Sequence, residues 1–363
     1  MKEANINYMQ HTFEPVFIKD AEVETLKSKS ETVYIDAHQH QIKELFIIDH
    51  PQFSGEKKQE GFATEQFTEY AKRQQDNFVY VYYPWNYTLV KTMPENEYFR
   101  LKTNRNQDLI TFEEQQKLSN LRVGVFGMSV GSNVALVLTQ AGISREIVIA
   151  DFDELDTTNL NRIVAGVHQV GLNKTIIAAR KIYEDNPFAK VVSLQEGLTK
   201  ENLEQLLSEN KLDIIVEEVD DLPLKIIIRE LALSYKVPVV MVTDNGDGIV
   251  LHVERYDLGY DKVWGKDFSY YAEKMKGPIT KDVAGQIIMF DIVGGPDKVD
   301  PKMLNSVKRV LSQELVSWSQ LGSAAILGGV FVTVAVKEVA LGIHKQLESR
   351  THVTPHSIIE GIH

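Results

Sequence analysis

The sequence predicts an α/β protein: a Rossmann-like, doubly wound, mostly parallel sheet with an N-terminal α+β extension. Two observations point there. From Arg122 onward, short apolar runs alternate with segments of helical apolar spacing, the pattern of strands covered by helices on both faces. Polar and charged residues then gather just after those runs, at Gly127, Asp151, Glu217 to Asp221 and Thr243 to Asp247. Open α/β sheets bind their ligands beyond the C-terminal strand ends.

The elements follow in order. Residues 1–100 show no clean alternation and are expected to form a smaller layer or wrapping segment. They hold apolar runs at Val33–Ile35 and Leu45–Ile48, a helix across Gln59–Gln75 and an aromatic strand from Phe78 to Trp85. Residues 101–363 are expected to form the principal domain. Its strands are Arg122–Gly127, Glu146–Asp151, Val191–Leu194, Leu212–Val216 and Val237–Val242. Its helices are Val130–Ala141, Lys174–Asp185, Lys200–Glu209 and Leu222–Tyr235, the second ending before Pro187 because the residue preceding a proline avoids the α region. Beyond Asp257 the alternation stops. Long loops are expected over 258–300, with a strand at Gln286–Ile292. Helices follow at Pro301–Gln313 and Ala324–Leu341, then a weakly patterned tail from Ser349.

Composition excludes several classes. The 363 residues carry a formal net charge of −12, which repels polyphosphate backbones and argues against a nucleic-acid partner. There is no cysteine, so disulfides, cysteine-bound zinc and thiol nucleophiles are absent from this chain. Met1 to Gln10 is polar and lacks the apolar core of a secretory leader. The longest apolar run, Leu321–Val336, has 16 residues, short of the roughly 20 that a membrane span needs, and a buried helix is expected. A cytoplasmic protein with no membrane association is the expectation.

Four motifs carry the chemistry. Gly127-Met-Ser-Val-Gly131-Ser132 lies between a strand and a helix. Glycines there let the backbone approach a phosphate, and the helix N-terminus offers donors. It is not the dinucleotide fingerprint, because Ser129 stands where the second glycine belongs; alone, it reads equally as a tight turn that binds nothing. Asp151-Phe-Asp153 follows the second strand, with Asp151 20 positions after Gly131, the place of a ribose-binding acid or of a plain cap. Asn159-Leu-Asn161-Arg162 and Gly171-Leu-Asn-Lys174 offer phosphate oxygens a planar fork and a mobile point charge, or are solvated cations. Glu217-Glu-Val-Asp220-Asp221 crowds acids whose repulsion a magnesium triphosphate would relieve and a solvated loop would tolerate. Asp36-Ala-His38-Gln-His40 imitates a His-x-His metal pair, but no run of eight βα units supplies the further ligands, so loop or surface histidines are expected.

Taken together and in this order, the motifs resemble the ThiF/MoeB/HesA family, bacterial relatives of ubiquitin-activating enzymes. The resemblance runs from Thr103 to about Val253, with a weaker return over Gly322–Gly342. It is carried by Asp151-Phe-Asp153, Asn159 to Arg162, Gly171 to Lys174, Asn186-Pro187 and Asp220. Lys102-Thr-Asn-Arg105-Asn echoes the family's entry motif, and Ala325–Leu341 with Glu338 its C-terminal helix. The resemblance implies a nucleotide-binding adenylation domain over 101–363, ATP-dependent adenylation of a carboxylate with pyrophosphate release, ATP and Mg2+ as cofactors, and a homodimer. It implies that Gly127, Gly131, Asp151, Asp153 and Asn159 line the nucleotide site, with Asp151 on the ribose. Arg162 and Lys174 would hold phosphates, Asp220 would hold magnesium, and Arg105 would reach the triphosphate of the other subunit. Arg105, Arg162 and Asp220 are therefore the catalytic candidates. The incoming carboxylate attacks, so fixed cations that meet the developing charge suffice and no protein nucleophile is needed.

The chain also departs from the family pattern. Its glycine loop is one residue shorter and poorer in glycine; Ile163 stands for a Gln, Asp221 for an Asn and Lys225 for an Arg. The family's cysteines are absent, so no thioester, persulfide or zinc step carries over. The Tyr-Pro-Trp and Thr-Asn-Arg-Asn stretches resemble a subgroup related to bacterial ThiF–nitroreductase fusion proteins. Two other readings stand beside this one: a non-catalytic nucleotide-binding scaffold, and an NAD(P)-binding oxidoreductase, which Ser129 and the cationic set disfavour. Dehydration of a modified tRNA base occurs in the family and is disfavoured by the net charge. The carboxylate is left as a small molecule, a peptide C-terminus or a ubiquitin-like tail.

Overall fold

The computed structural model describes residues 12–277 and 279–355. The polar segment Met1 to Gln10 and the end of the tail, residues 356–363, lie outside the described residues. The chain divides into two compact units: the described residues up to Gln115 with Tyr183–Phe188, and Gln116–Ile182 with Ala189 onward.

The first unit holds a four-stranded sheet of β1 (Val16–Ile18), β2 (Val33–Asp36), β3 (Val79–Tyr83) and β4 (Thr88–Thr92), in the order β1-β3-β4-β2. β3 and β4 form a hairpin, and β2 joins β4 in parallel. The Leu45–Ile48 run falls in helix His38–Asp49, whose Ile42, Leu45 and Phe46 pack with Tyr70 and Met93. The helix expected over Gln59–Gln75 is two, Lys58–Phe62 and Glu65–Gln74. They break at Thr64, whose hydroxyl accepts the Phe67 N–H at 3.1 Å, an N-cap that starts a new helix rather than continuing the old one. The histidine pair is helical, not in a loop. His38 is buried with Nε2 3.0 Å from Asn77 O, His40 is exposed beside Glu44, and no metal-binding group of His, Cys, Asp and Glu exists among the described residues.

The second unit is built on a seven-stranded sheet in the order β11-β10-β9-β8-β5-β6-β7. β5 (Arg122–Phe126), β6 (Glu146–Ala150), β7 (Lys190–Leu194), β8 (Ile214–Glu217) and β9 (Val239–Asn245) are parallel. Val123, Val125 and Phe126 of β5 are buried, as a central strand covered on both faces requires. β10 (Gly248–Glu254) folds back on β9 through a hairpin, and β11 (Glu348–Val353) closes that side antiparallel. The strand order reverses between β5 and β8. Helix Lys174–Asp185 and helix Leu222–Tyr235 fall where the sequence places them.

The strand expected at Gln286–Ile292 is not formed. Helix Lys281–Gln286 runs directly into a π-helical turn, Ile287–Ile292. The sheet edge beyond β10 is already taken by β11. Ile287 and Ile292, five positions apart, both enter a core with Met241, Val263, Trp264 and Tyr271, a spacing that suits i→i+5 winding. Helix Gly322–Ala340 has 19 residues and is long and apolar enough to cross a membrane, yet half of its apolar window is buried. It packs on helix Gly131–Gln140 and on β9 and β10. A Cβ at Gly329 would stand 3.0 Å from the backbone of Asn133, so the glycine lets the two helices close.

Candidate nucleotide site

The site forms where β5 meets β8, the reversal point at which doubly wound sheets open a crevice. Gly127 carries the chain out of β5 with φ +94°, and a Cβ on it would lie 2.3 Å from Glu218 O. Its N–H donates to Ala150 O at 2.8 Å. Asp151, just past β6, accepts from the N–H groups of Met128 at 2.6 Å and Asp153 at 2.8 Å. The acid assigned to a ribose therefore first holds the glycine turn in place. Burial raises its pKa, and the two N–H groups draw it back. A carboxylate has lone pairs left to accept a hydroxyl. Gly131 starts the helix behind the turn and is buried.

The Asn159–Arg162 box folds around its own asparagines. Asn159 is buried, and its Oδ1 accepts the Asp156 N–H at 3.0 Å, closing a short turn. Asn161 donates to Gln320 O at 2.8 Å and so ties the start of the C-terminal helix to the box. Asn133, unremarked in the sequence, donates to Arg162 O at 2.9 Å; its signal was a polar residue on an otherwise apolar helix face. The Arg162 guanidinium meets only neutral oxygens: Ser129 Oγ at 3.0 Å, Asn161 Oδ1 at 3.0 Å and Thr158 O at 3.3 Å. Among the described residues it makes no ion pair. Burial lowers its pKa, with Asp244 and then Asp220 pulling the other way from farther off. Lys174 is different. It is buried, and its Nζ lies 2.7 Å from Asp153 Oδ2, so these two offset each other.

The acids after β8 do not crowd one ligand, which corrects the sequence expectation. Glu217 turns inward and takes Lys225 Nζ at 2.8 Å and Arg229 Nη1 at 2.7 Å. Burial raises its carboxyl, and Lys225 and Arg229 bring it below the usual range. Glu218 accepts the Val242 N–H at 2.9 Å. Asp221 caps helix Leu222–Tyr235 by accepting the Leu224 N–H at 2.7 Å. Paired cations thus meet Glu217 and a helix N-terminus meets Asp221, whereas burial, with Glu217 and Asp244 nearby, holds Glu218 well above the usual carboxylate range. Asp220 is left exposed near Arg162. At the end of β9, Asp244 has both carboxylate oxygens buried without a hydrogen-bond partner. Burial pushes its carboxyl up to about 6, and Arg162 opposes that. The sequence marked Thr243 to Asp247 as a strand end and singled out no residue there. Arg105 lies in the first unit, exposed, on a short turn over Asn104–Asn106.

The ThiF family matches residues 101–253. The chain carries a ThiF-family domain. An uncharacterized protein of Mycobacterium tuberculosis (strain CDC 1551 / Oshkosh) is 35% identical over 266 residues, 72% of this chain and 36% of that protein. The tRNA threonylcarbamoyladenosine dehydratase of Bacillus subtilis (strain 168) is 32% identical over 139 residues, 38% of this chain and 54% of that one. The sulfur carrier protein ThiS adenylyltransferase of Escherichia coli (strain K12) is 25% identical over 158 residues, 43% and 62%. The chain thus spans between 36% and 62% of the length of these three relatives. Within the ThiF-family match fall Gly127, Gly131, Asp151, Asp153, Asn159, Arg162, Lys174, Asp220 and Asp244, and also Arg105.

Proposed function

We propose that the ThiF-family domain binds magnesium ATP and adenylates a carboxylate, releasing pyrophosphate. One observation carries this reading. Arg162 is a part-buried guanidinium with neutral partners only, beside a glycine turn that leaves no room for a side chain. An arginine drawn out of water without a carboxylate is matched by a phosphate, which accepts its planar fork. Gly127 and Gly131 shape the cradle, Asp151 accepts from the ribose, and Asn159 keeps the Arg162 loop closed. Lys174 reaches a phosphate by sharing itself with Asp153. Asp220 fits magnesium, which takes one or two carboxylates and fills its shell with phosphate oxygens and water. Bound ATP supplies the activated α-phosphate; Arg162 and Lys174 hold the phosphates where negative charge grows.

The relatives' names support activation of a carrier protein or of a modified tRNA base as precedents, and a net charge of −12 favours a small or peptide carboxylate over tRNA. With no cysteine in the chain, the acyl-adenylate passes directly to its acceptor, and intact mass after turnover is expected to show no covalent adduct. We assign the activity to residues 101–363 in a homodimer, with Arg105 serving the site of the other subunit. Mixing inactive Arg105→Ala and Asp220→Asn proteins then restores up to roughly a quarter of wild-type activity, because about half of random dimers are mixed and each has one intact site.

The test is ATP–pyrophosphate exchange across a panel of amino acids, peptides and ubiquitin-like tails. Carboxylate-dependent exchange is expected, and Asp220→Asn is expected to lose it while keeping ATP affinity, since the metal acts mainly on the transition state. ATP binding without exchange on any carboxylate would favour the non-catalytic scaffold.

A further inference from the structure

Asp244 is a buried acid to which the proposed reaction gives no task. It stands in β9, next to β8, with both oxygens closed to solvent and unbonded. Few charged groups face it. Arg162 acts on it from the loop after β6, through space and without a hydrogen bond. Glu218 lies beside it past the end of β8, and burial first, with Glu217 and Asp244 nearby, holds its own carboxyl well above the usual carboxylate range. Across the hairpin its partner on β10 is Ile249. Helix Gly322–Ala340, packed on β9, carries its ionisable residues Lys337 and Glu338 in its last turn, away from the end tied to Asn161. Among the described residues Arg162 is thus the one cation that favours the ionised form. A phosphate seated on Arg162 occupies that cation and adds negative charge beside a carboxylate that has no donor. The relief open to such a group is a proton, which also turns it from an acceptor into a donor.

We propose that Asp244 is the proton-linked residue of this site: it takes one proton from solvent as a phosphate anion seats on Arg162. This rests on the reading of the site as a nucleotide site. The step is a protonation alone: carboxylate plus one proton gives the carboxylic acid, and no bond of the ligand forms or breaks. Burial has already raised the carboxyl to about 6, so at pH 7.5 nearly the whole proton comes from solvent on binding.

The test is calorimetric titration of the full chain with magnesium ATP at pH 7.5, in buffers of different ionisation heat. Wild type is expected to take up close to one proton more than Asp244→Asn; ionisation of ATP itself is common to both and cancels. Between pH 6 and pH 8, wild-type affinity is expected to fall by up to about 50-fold relative to Asp244→Asn, the loss of the protonated form of a group titrating near 6. Asp244→Ala, which cannot ionise either, is expected to match Asp244→Asn in proton uptake and in its pH profile. Equal proton uptake by wild type and Asp244→Asn would overturn the proposal. So would an ATP affinity that depends on magnesium in wild type and not in Asp244→Asn, which would make Asp244 a metal ligand. Absence of ATP binding in all three proteins, each with an intact melting transition, would instead overturn the nucleotide reading beneath it.

Discussion

Arg229 and Arg162 are both arginines drawn out of water in the same unit, and they differ in what meets them. Arg229 is wholly buried, with Nε on Glu254 and Nη1 on Glu217, each at 2.7 Å, and its guanidinium 4.4 Å from the Trp264 ring centroid. Burial alone would lower its pKa; Glu254 and Glu217 more than reverse that. Arg162 has three neutral partners, and burial lowers its pKa without a close carboxylate to restore it. A cation saturated by acids from the fold serves the fold. A cation desolvated and left to neutral groups is matched by something that arrives from outside.

Removing the saturated cation has the largest expected effect. Arg229→Met leaves Glu217 and Glu254 buried without it, at a cost of about 3–5 kcal/mol in urea unfolding. Arg162→Ala, by contrast, is expected to change stability by less than about 1 kcal/mol, since it gives up neutral hydrogen bonds at a part-exposed site. Equal losses for the two would erase the distinction.

The acids beside these arginines titrate in opposite senses. Burial raises Glu217, but Lys225 and Arg229 hold it below its ordinary 4.5, so its contribution is full above that value and is lost as pH falls through the folded pKa. Asp244 sits above its ordinary 3.8, at about 6, so it costs stability once pH rises through that window. Asp244→Asn is therefore expected to stabilise the ligand-free chain at pH 7.5 by up to about 2–3 kcal/mol, and to do nothing near pH 3.5, by thermal unfolding at both values. A stabilisation that persists at pH 3.5 would have another cause. Smaller again is Asp221→Ala, which removes a helix cap for about 1 kcal/mol and leaves ATP binding unchanged. Lost ATP binding there would give Asp221 a share in the role assigned to its neighbour Asp220.

The parallel strands were legible because a strand buried on both faces writes itself as an apolar run, as in residues 123–126 of β5 and 214–216 of β8. Strands β10 and β11 were not. β10 buries His252 and Glu254, whose partners are Ile292 O and Arg229, far along the chain. Glu348–Val353 has no apolar pattern and is a strand only because β10 offers an edge. The short apolar run Ile287–Ile292 reads as a strand, but β11 already takes the sheet edge and the run winds helically with Ile287 and Ile292 in one core. Motif order put Gly127 and Asp151 just past neighbouring strands, whereas Arg162 lies in the loop after β6 and Lys174 opens helix Lys174–Asp185. Sequence could not say that Lys174 would find Asp153, that Glu217 would turn inward to Arg229, or that Asp244 would be left without a donor, because pairing is set by packing.

The central claim is that Arg162 is kept free for a triphosphate. Its most direct test is calorimetric titration of wild type and Arg162→Ala with ATP, with and without magnesium, and with NAD. Magnesium-dependent ATP binding is expected in wild type with little NAD binding, and Arg162→Ala is expected to weaken ATP at least about tenfold, the worth of a hydrogen bond to a charged group, with its melting temperature nearly unchanged. Tight NAD binding without ATP binding, or an Arg162→Ala protein that binds ATP as well as wild type does, would contradict the account.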